Sequence, residues 1–453
     1  MMCAISRLRS VPWAVLPTCF VLIGAGHALA QDPGEVRVGI TYSPGYLPGL
    51  VMTPVEADAA LAELAARVDS IVRLDLDYAD RFEIISVPDS LAALRSINYG
   101  LWNELGAVWL VASQLTGSAS SPVLRVSLHD VVFGQLKEVR AFTLPAPGGT
   151  GFRMAAHRIS DEIVRWATGD PGIAATRIAF RRKLPGGGSD LFLIDSDGQG
   201  LQRLTFEAQG GDSSIVLSPA LSPDGTHLLY VSYRTGTPVV YERNLATGQD
   251  RTISAETGLN ATPVYSPDGR RILFARTVDD HTELFEVQRD PLCCARRVSF
   301  TSVGETMNAD YSPDGRRVAL TSSPLGIPQI YVMSIDGGNP ALISRYVFGE
   351  RSYSAAPDWS PRGDRIAYQA WAGSWFQIMT VNPDGGDRRA MTSQGSNEDP
   401  SWAPDGRHLV FAGTLRGYHA LWVLDTVSGR LRSLTANNMD QLPHWSDPLP
   451  ERR

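Results

Sequence analysis

Groups that could do chemistry are thinly spread along this chain. Its eight histidines do not cluster: His27 lies in an apolar leader, and His129, His157, His227, His281, His408, His419 and His444 fall on different units of the sequence. His227 and His408 each follow a turn phrase and are expected to face solvent. Nucleophilic hydrolysis of the peptidase type needs a Gly-x-Ser-x-Gly elbow with a base in reach, and none occurs. The carboxylates are denser. Asp310, Asp358, Glu398, Asp399 and Asp440 fall at similar places in successive repeats, so they could converge into an oxygen-rich site for a hard cation. They are equally explained as acceptors for backbone amides at strand ends. No His or Lys base stands among them, which argues against lyase chemistry. The expectation is therefore no catalytic residue, no metal and no cofactor. The adjacent pair Cys293-Cys294 is expected to be two small buried residues near a strand turn, with a vicinal disulfide as the alternative in an oxidising compartment.

The elements that must position these groups announce themselves by repetition. Ser222-Pro223-Asp224-Gly225 returns as Ser266-Pro267-Asp268-Gly269 and Ser312-Pro313-Asp314-Gly315. It comes back altered as Ser360-Pro361-Arg362-Gly363 and Ala403-Pro404-Asp405-Gly406, then truncated as Trp445-Ser446-Asp447-Pro448. Pro presets the first corner of a turn, Asp binds nearby amides, and Gly takes the positive φ where the chain reverses. Each phrase thus joins two strands as a hairpin, and third and fourth strands follow. Four strands at a spacing of 43 to 48 residues is a β-propeller blade. Third-strand segments occur six times, so six blades are expected. The first unit, from Arg177-Ile178-Ala179-Phe180, lacks a first strand, and Leu442-Pro443-His444-Trp445-Ser446 is a first strand with nothing after it. The C-terminal strand should therefore complete blade one and close the ring. Residues just before each first strand should then lie in loops at the mouth of the central channel: Asn260-Ala261-Thr262, Met307-Asn308-Ala309, Ser354-Ala355-Ala356, Asn397-Glu398-Asp399 and Met439-Asp440-Gln441. Tyr346, Phe348, Tyr353, Trp371 and Trp375 are candidate apolar anchors beside them.

Before the blades the texture differs. Residues 1–30 read as a signal peptide, with Arg7 and Arg9, a mostly apolar run and the small-residue site Ala28-Leu29-Ala30. Its removal takes two arginines and no acid, moving the formal charge from −7 to −9, a poor balance for nucleic acid or an anionic membrane. The mature chain should be soluble and exported. Glu35 to Ile40 alternates like a strand, and Thr41 to Pro54 reads as irregular because of Pro44, Gly45, Pro48 and Gly49. Val55–Leu76 and Phe152–Thr168 have helical periodicity. Strands are expected over Phe82–Val87 and Ala107–Leu115, with a hairpin of Val123–Asp130 and Leu136–Leu144. The reading is an α/β N-terminal domain over residues 31–170, followed by an all-β six-bladed propeller over 171–453.

These features together resemble the TolB family, periplasmic propeller proteins of the Tol–Pal system. Besides the blade phrases, the resemblance rests on Arg81-Phe82-Glu83-Ile84, Leu105-Gly106-Ala107-Val108, Ala156-His157-Arg158-Ile159-Ser160-Asp161-Glu162-Ile163, the junction Gly172-Ile173-Ala174-Ala175-Thr176-Arg177 and the ending Pro443-His444-Trp445-Ser446-Asp447-Pro448-Leu449. It implies a non-enzymatic scaffold, monomeric on its own, that supports outer-membrane integrity and constriction during division. An N-terminal arm would bind the inner-membrane protein TolA. The matching residues are Glu35, Val36, Arg37, Val38, Gly39, Ile40, Thr41, Tyr42 and Ser43, whose alternation suits addition to a partner's sheet edge and equally suits completing the sheet of its own domain. The propeller mouth would bind the peptidoglycan-associated lipoprotein Pal, through Asn260, Ala261, Thr262, Met307, Asn308, Ala309, Asn397, Glu398, Asp399, Met439 and Asp440. The competing readings are a peptidase- or lyase-related propeller enzyme, and a carbohydrate- or peptide-binding propeller outside that system.

Overall fold

The computed structural model describes residues 46–450 apart from 89–90, 92–96, 149–150, 209–213, 302, 348 and 437. The expected signal peptide, the arm Glu35–Ser43 and Phe348 lie outside the described residues.

The first sheet is built around a strand that the sequence reading missed. Gly49–Met52 runs parallel to Glu83–Ile84 and to Ala107–Ser118, which pairs in turn with Ser121–Asp130 and then Gln135–Thr143. Pro48 and Gly49 suggested irregularity, yet Leu50 and Val51 are fully buried. Gly49 is required rather than disruptive: a Cβ there would stand 2.3 Å from the Gly106 carbonyl oxygen. The helices Ala62–Tyr78 and Phe152–Thr168 cover one face of this sheet. Leu64, Val68, Ile71, Val72 and Leu76 of the first meet Phe152, Ile159 and Ile163 of the second, the i, i+3, i+4 stripe that burial requires. A short helix, Tyr99–Glu104, seats Trp102 against Val51 and Leu110 on the other face.

From Arg177 onward the described residues form six four-stranded antiparallel sheets. Five are consecutive in sequence. The sixth has the order Asp440–Trp445, Arg177–Lys183, Ser189–Asp195, Gln202–Arg203, so the C-terminal strand closes the ring as expected. Trp445 pairs with Ile178 and Asp440 with Arg182, and the Arg182 guanidinium holds the buried Asp440 carboxylate at 2.6 and 2.9 Å. The truncated phrase keeps one job: Ser446 Oγ accepts the Arg177 amide at 2.9 Å. Ser222 Oγ does the same for His227 at 2.9 Å inside an intact phrase, where it also donates to Asp224.

Residues 44–453 form one compact unit, and the α/β part meets the propeller at the hairpin-phrase ends of its blades. Asp161 accepts the Ala174 and Ala175 amides at 2.8 and 2.9 Å. Arg430 grips Asp77 and Asp80. Arg432 stacks 4.1 Å from the Tyr78 ring centre, and Arg81 bridges Asp170 and Asp405. His408, expected in solvent, is instead fully buried here. Its Nδ1 lies 2.8 Å from Asp405 and its Nε2 3.1 Å from Asp80. The hairpin phrase explains the miss: at this copy Ala403 supplies no hydroxyl, so Asp405 turns to the imidazole. No helix among the described residues is long and apolar enough to cross a membrane.

Candidate partner-binding face

Every innermost strand breaks its register two or three residues in, between Leu217 and Ala220, Ala261 and Val264, Met307 and Asp310, Ala355 and Asp358, Glu398 and Ser401, and Gln441 and His444. A residue with positive φ sits at each break: Ser218, Thr262, Asn308, Ala356, Asp399 and Leu442, all between 46° and 54°. Non-glycine residues rarely adopt this conformation, so its sixfold recurrence marks a built bulge. Proline follows in every blade except the fourth, where Ala309 stands. The bulges line a narrow bore of about 120 Å³.

A bulge strands backbone amides, and the neighbouring blade supplies the acceptors. Asp310 accepts the Trp359 amide at 2.6 Å, Asp358 the Trp402 amide at 2.9 Å, Ser401 the Trp445 amide at 3.1 Å, and His444 Nδ1 the Leu221 amide at 3.3 Å. Asp310 and Asp358 thus serve as interblade ties, the plainer of the two roles that the sequence allowed. These groups keep partial exposure where they line the bore, and the blades enclose the rest of each. Desolvation pushes the Asp310 and Asp399 carboxyls up to about 7. Asp358 is raised by burial and then by the neighbouring Asp310 charge. Burial pushes the His444 imidazole down to about 4.

The expected mouth residues are strand residues, not loop residues. Asn260, Asn397 and Asp440 point into the blades and are fully buried. Asn260 takes the Ser254 hydroxyl at 2.6 Å and donates to the Pro238 and Glu256 carbonyls. Asn397 donates to Gln377 and the Gln394 carbonyl, and Asp440 is spent on Arg182. No partner can touch these three side chains. Ala309 is buried; Ala261 and Met307 are half-buried. Thr262, Asn308 and Asp399 do line the bore. Glu398 is half-buried and accepts the Ser396 hydroxyl. Met439 is 47% exposed. The five acids proposed to converge therefore separate, with Asp310, Asp358 and Asp399 in the bore and Asp440 inside a blade.

Apolar anchors are more numerous at this end than the sequence suggested. The loops that enter each first strand, or join each second strand to its third, expose Phe300 (74%), Val303 (61%), Trp375 (59%), Phe206 (58%) and Leu325 (46%) beside Met439. At the hairpin ends Leu201, Leu292 and Val427 are comparably exposed. Tyr353 and Trp371 pack edge-on against Phe376 at 5.4 and 5.3 Å and so pad blade five, leaving Trp375 as the projecting ring of that cluster. Loop residues carry no periodicity, so only their aromatic character could have pointed to Phe206 and Phe300.

Among the described residues, one group has metal-ligand spacing: Asp75, His157 and Asp197. It lies at the α/β junction, away from the bore. The Arg153 guanidinium, 2.5 Å from Asp197, already neutralises it. The cysteines are bonded to each other, Cys293 half-buried and Cys294 exposed, which corrects the expectation of a buried reduced pair.

Residues 164–449 match the family model described as the TolB beta propeller domain. A "Tol-Pal system protein TolB" from Bordetella parapertussis is 32% identical over 318 residues, covering 69% of this chain and 68% of that protein. One from Bordetella pertussis is 31% identical, with 69% of each chain covered. The crystal structure of TolB from Acinetobacter baumannii superposes with a TM-score of 0.76 at 26% identity, covering 89% of this chain and 98% of that one.

Proposed function

This chain belongs to the TolB family of the Tol–Pal system, and we propose that it is a non-enzymatic periplasmic scaffold joining two envelope partners. Its propeller mouth receives a Pal-like, peptidoglycan-associated lipoprotein. Its arm, Glu35–Ser43, adds a strand to an inner-membrane TolA-like protein. By holding both, it supports outer-membrane integrity and constriction during division. In this reading residues 1–30 are a cleaved signal peptide, 31–170 the α/β domain with its arm, and 171–453 the propeller.

One observation carries the propeller half of this reading. The α/β part makes its contacts at the hairpin ends of the blades, and the other end presents projecting apolar side chains around a polar bore. Exposed rings on a rigid frame are what hot spots require, because little side-chain entropy is lost on docking. Thr262, Asn308 and Asp399 in the bore, with Ala261, Met307, Glu398 and Met439 above it, are the remaining candidates among the residues read from sequence. Arm docking rests on the alternation of Glu35–Ile40 alone.

The test is a periplasmic pull-down with three forms of the protein: the whole chain, one lacking residues 31–46, and Phe300→Ala/Trp375→Ala. The deletion should lose the inner-membrane partner and keep the lipoprotein, and the double substitution should do the reverse. Loss of neither partner, or of both in each variant, refutes the proposal.

A further inference from the structure

Cys293 and Cys294 are adjacent in sequence and joined by a disulfide on the outermost strand of blade three. A disulfide stabilises a fold chiefly by closing a loop of the unfolded chain, and the effect grows with loop length. This one closes almost none. Structural disulfides are also usually sheltered, whereas Cys294 is exposed and lines a cleft of about 420 Å³. Arg270, Arg271 and Arg296 share that cleft, with Asp268 and Glu286 as its carboxylates. Glu286 is already committed, to Arg271 at 3.1 Å, Arg296 at 2.7 Å and the Tyr311 hydroxyl at 2.6 Å. The bond therefore contributes little to the fold, stands open to solvent, and has one sulfur lining a cleft that holds three guanidinium groups against two carboxylates. An electropositive, accessible setting is what lowers a thiolate's energy and makes a cysteine exchange-competent. Cys294 also holds a φ of 62°, a left-handed backbone that costs a non-glycine residue free energy and that the open dithiol need not keep.

We infer that Cys293–Cys294 is a thiol–disulfide exchange site, reduced by a dithiol through a mixed disulfide. The incoming thiolate attacks Cys293 Sγ, the Cys293–Cys294 bond breaks, and the electron pair leaves on Cys294 Sγ as a thiolate among the arginines. The second thiolate of the reductant then attacks its own sulfur in the mixed disulfide and releases Cys293. The dithiol gives up two electrons and two protons and becomes a cyclic or internal disulfide, while the two cysteines take up both. Arg296 lies two residues beyond Cys294 and donates to the Ile335 carbonyl of blade four at 3.2 Å, so the cysteine pair sits on a strand that also touches the next blade.

The experiment treats the folded full chain with millimolar dithiothreitol at neutral pH. It quenches with iodoacetamide and reads Cys293 and Cys294 by peptide mass spectrometry. Both should be alkylated within minutes, inside the seconds-to-hours range of exchange. A bond that opens only after denaturant is added overturns the inference. In Cys293→Ser, alkylation of Cys294 should follow a thiol titrating below the ordinary value of about 8.5. Arg270→Glu in that background should slow it at neutral pH by about threefold or more. An ordinary titration that ignores Arg270→Glu equally refutes the arginine-assisted site.

Discussion

Replacing His408 with Gln should weaken the joint between the α/β part and the propeller, by an amount that depends on pH in a set direction. The imidazole is fully buried with a carboxylate at each nitrogen, Asp405 at 2.8 Å and Asp80 at 3.1 Å. Both nitrogens can donate only in the imidazolium form. Burial alone would lower its pKa, but Asp405 first and then Asp80 outweigh burial and raise it. The other charges packed around it are Arg81 and Arg407 beside Asp405, and Arg430 and Asp77 beside Asp80. Losing one partner of a buried charge pair costs about 3–5 kcal/mol. Here each carboxylate keeps an arginine, at 3.4 and 2.9 Å, so the lower figure, about 3 kcal/mol, applies. That corresponds to a melting shift of about 3–4 °C if the whole unit unfolds together. A raised histidine stabilises fully below its unfolded value of about 6.5, and the stabilisation fades as pH rises through the folded value. Asp405, held well below the ordinary carboxylate range, acts in the opposite sense: its stabilisation is present above about 3.9 and is lost as pH falls further. The joint should be firmest between these limits. Urea unfolding of wild type and His408→Gln across this range gives the difference curve directly, which cancels the parallel contribution of His157. A difference below about 0.5 kcal/mol under acid conditions, or one that does not shrink as pH rises, would falsify the charged bridge.

Three further outcomes follow from the same geometry. Asp310→Asn should stabilise the protein above neutral pH by about 1–2 kcal/mol after allowance for water in the bore. The carboxyl is raised to about 7, so its ionisation opposes folding as pH climbs from the unfolded value, and Asn can still accept the Trp359 amide. Thermal melts at pH 5 and pH 8 check this, and stabilisation equal at both would count against it. Deleting residues 440–453 should abolish cooperative melting, because the strand Asp440–Trp445 is the inner strand of blade one; unchanged calorimetry would show that the ring closes without it. Trp375→Ala alone should weaken binding of a Pal-like periplasmic domain about tenfold or more with no change in melting, measured by calorimetric titration, and unaltered affinity would remove Trp375 from the interface.

What the sequence disclosed depended on whether a signal was periodic. The hairpin phrase revealed six blades and their closure because Pro, Asp and Gly each answer a local backbone need, and local needs survive in a string. The helix Phe152–Thr168 was legible for the same reason, from its apolar stripe. The strand Gly49–Met52 was hidden because its neighbours Pro48 and Gly49 suggest a turn, and only the distant Gly106 backbone explains the glycine. His408 was misplaced because a phrase that faces solvent in isolation is covered here by Asp80, more than three hundred residues away. Asn260, Asn397 and Asp440 look like exposed polar residues in the string, because a sequence does not say which way a side chain at a strand's start points.

The burial of these three side chains bears on the function. Two of the three polar residues removed from the candidate interface anchor loops at this end from beneath, Asn260 through Glu256 and Asn397 through Gln394, and Asp440 clamps the neighbouring strand at Arg182. A loop held from inside can present an apolar side chain outward without collapsing onto the blade. Asn397 also reaches the strand that follows Trp375, donating to the Gln377 side chain at 3.1 Å, so this buried amide supports the projecting ring from beneath. Substitution of Asn397 should consequently reduce lipoprotein binding while never touching the lipoprotein. It should do so by slowing association rather than hastening release, since a loosened loop must be ordered before it docks. Asn397→Ala with an unaltered association rate and a faster dissociation rate would place the asparagine in the interface itself, against its full burial.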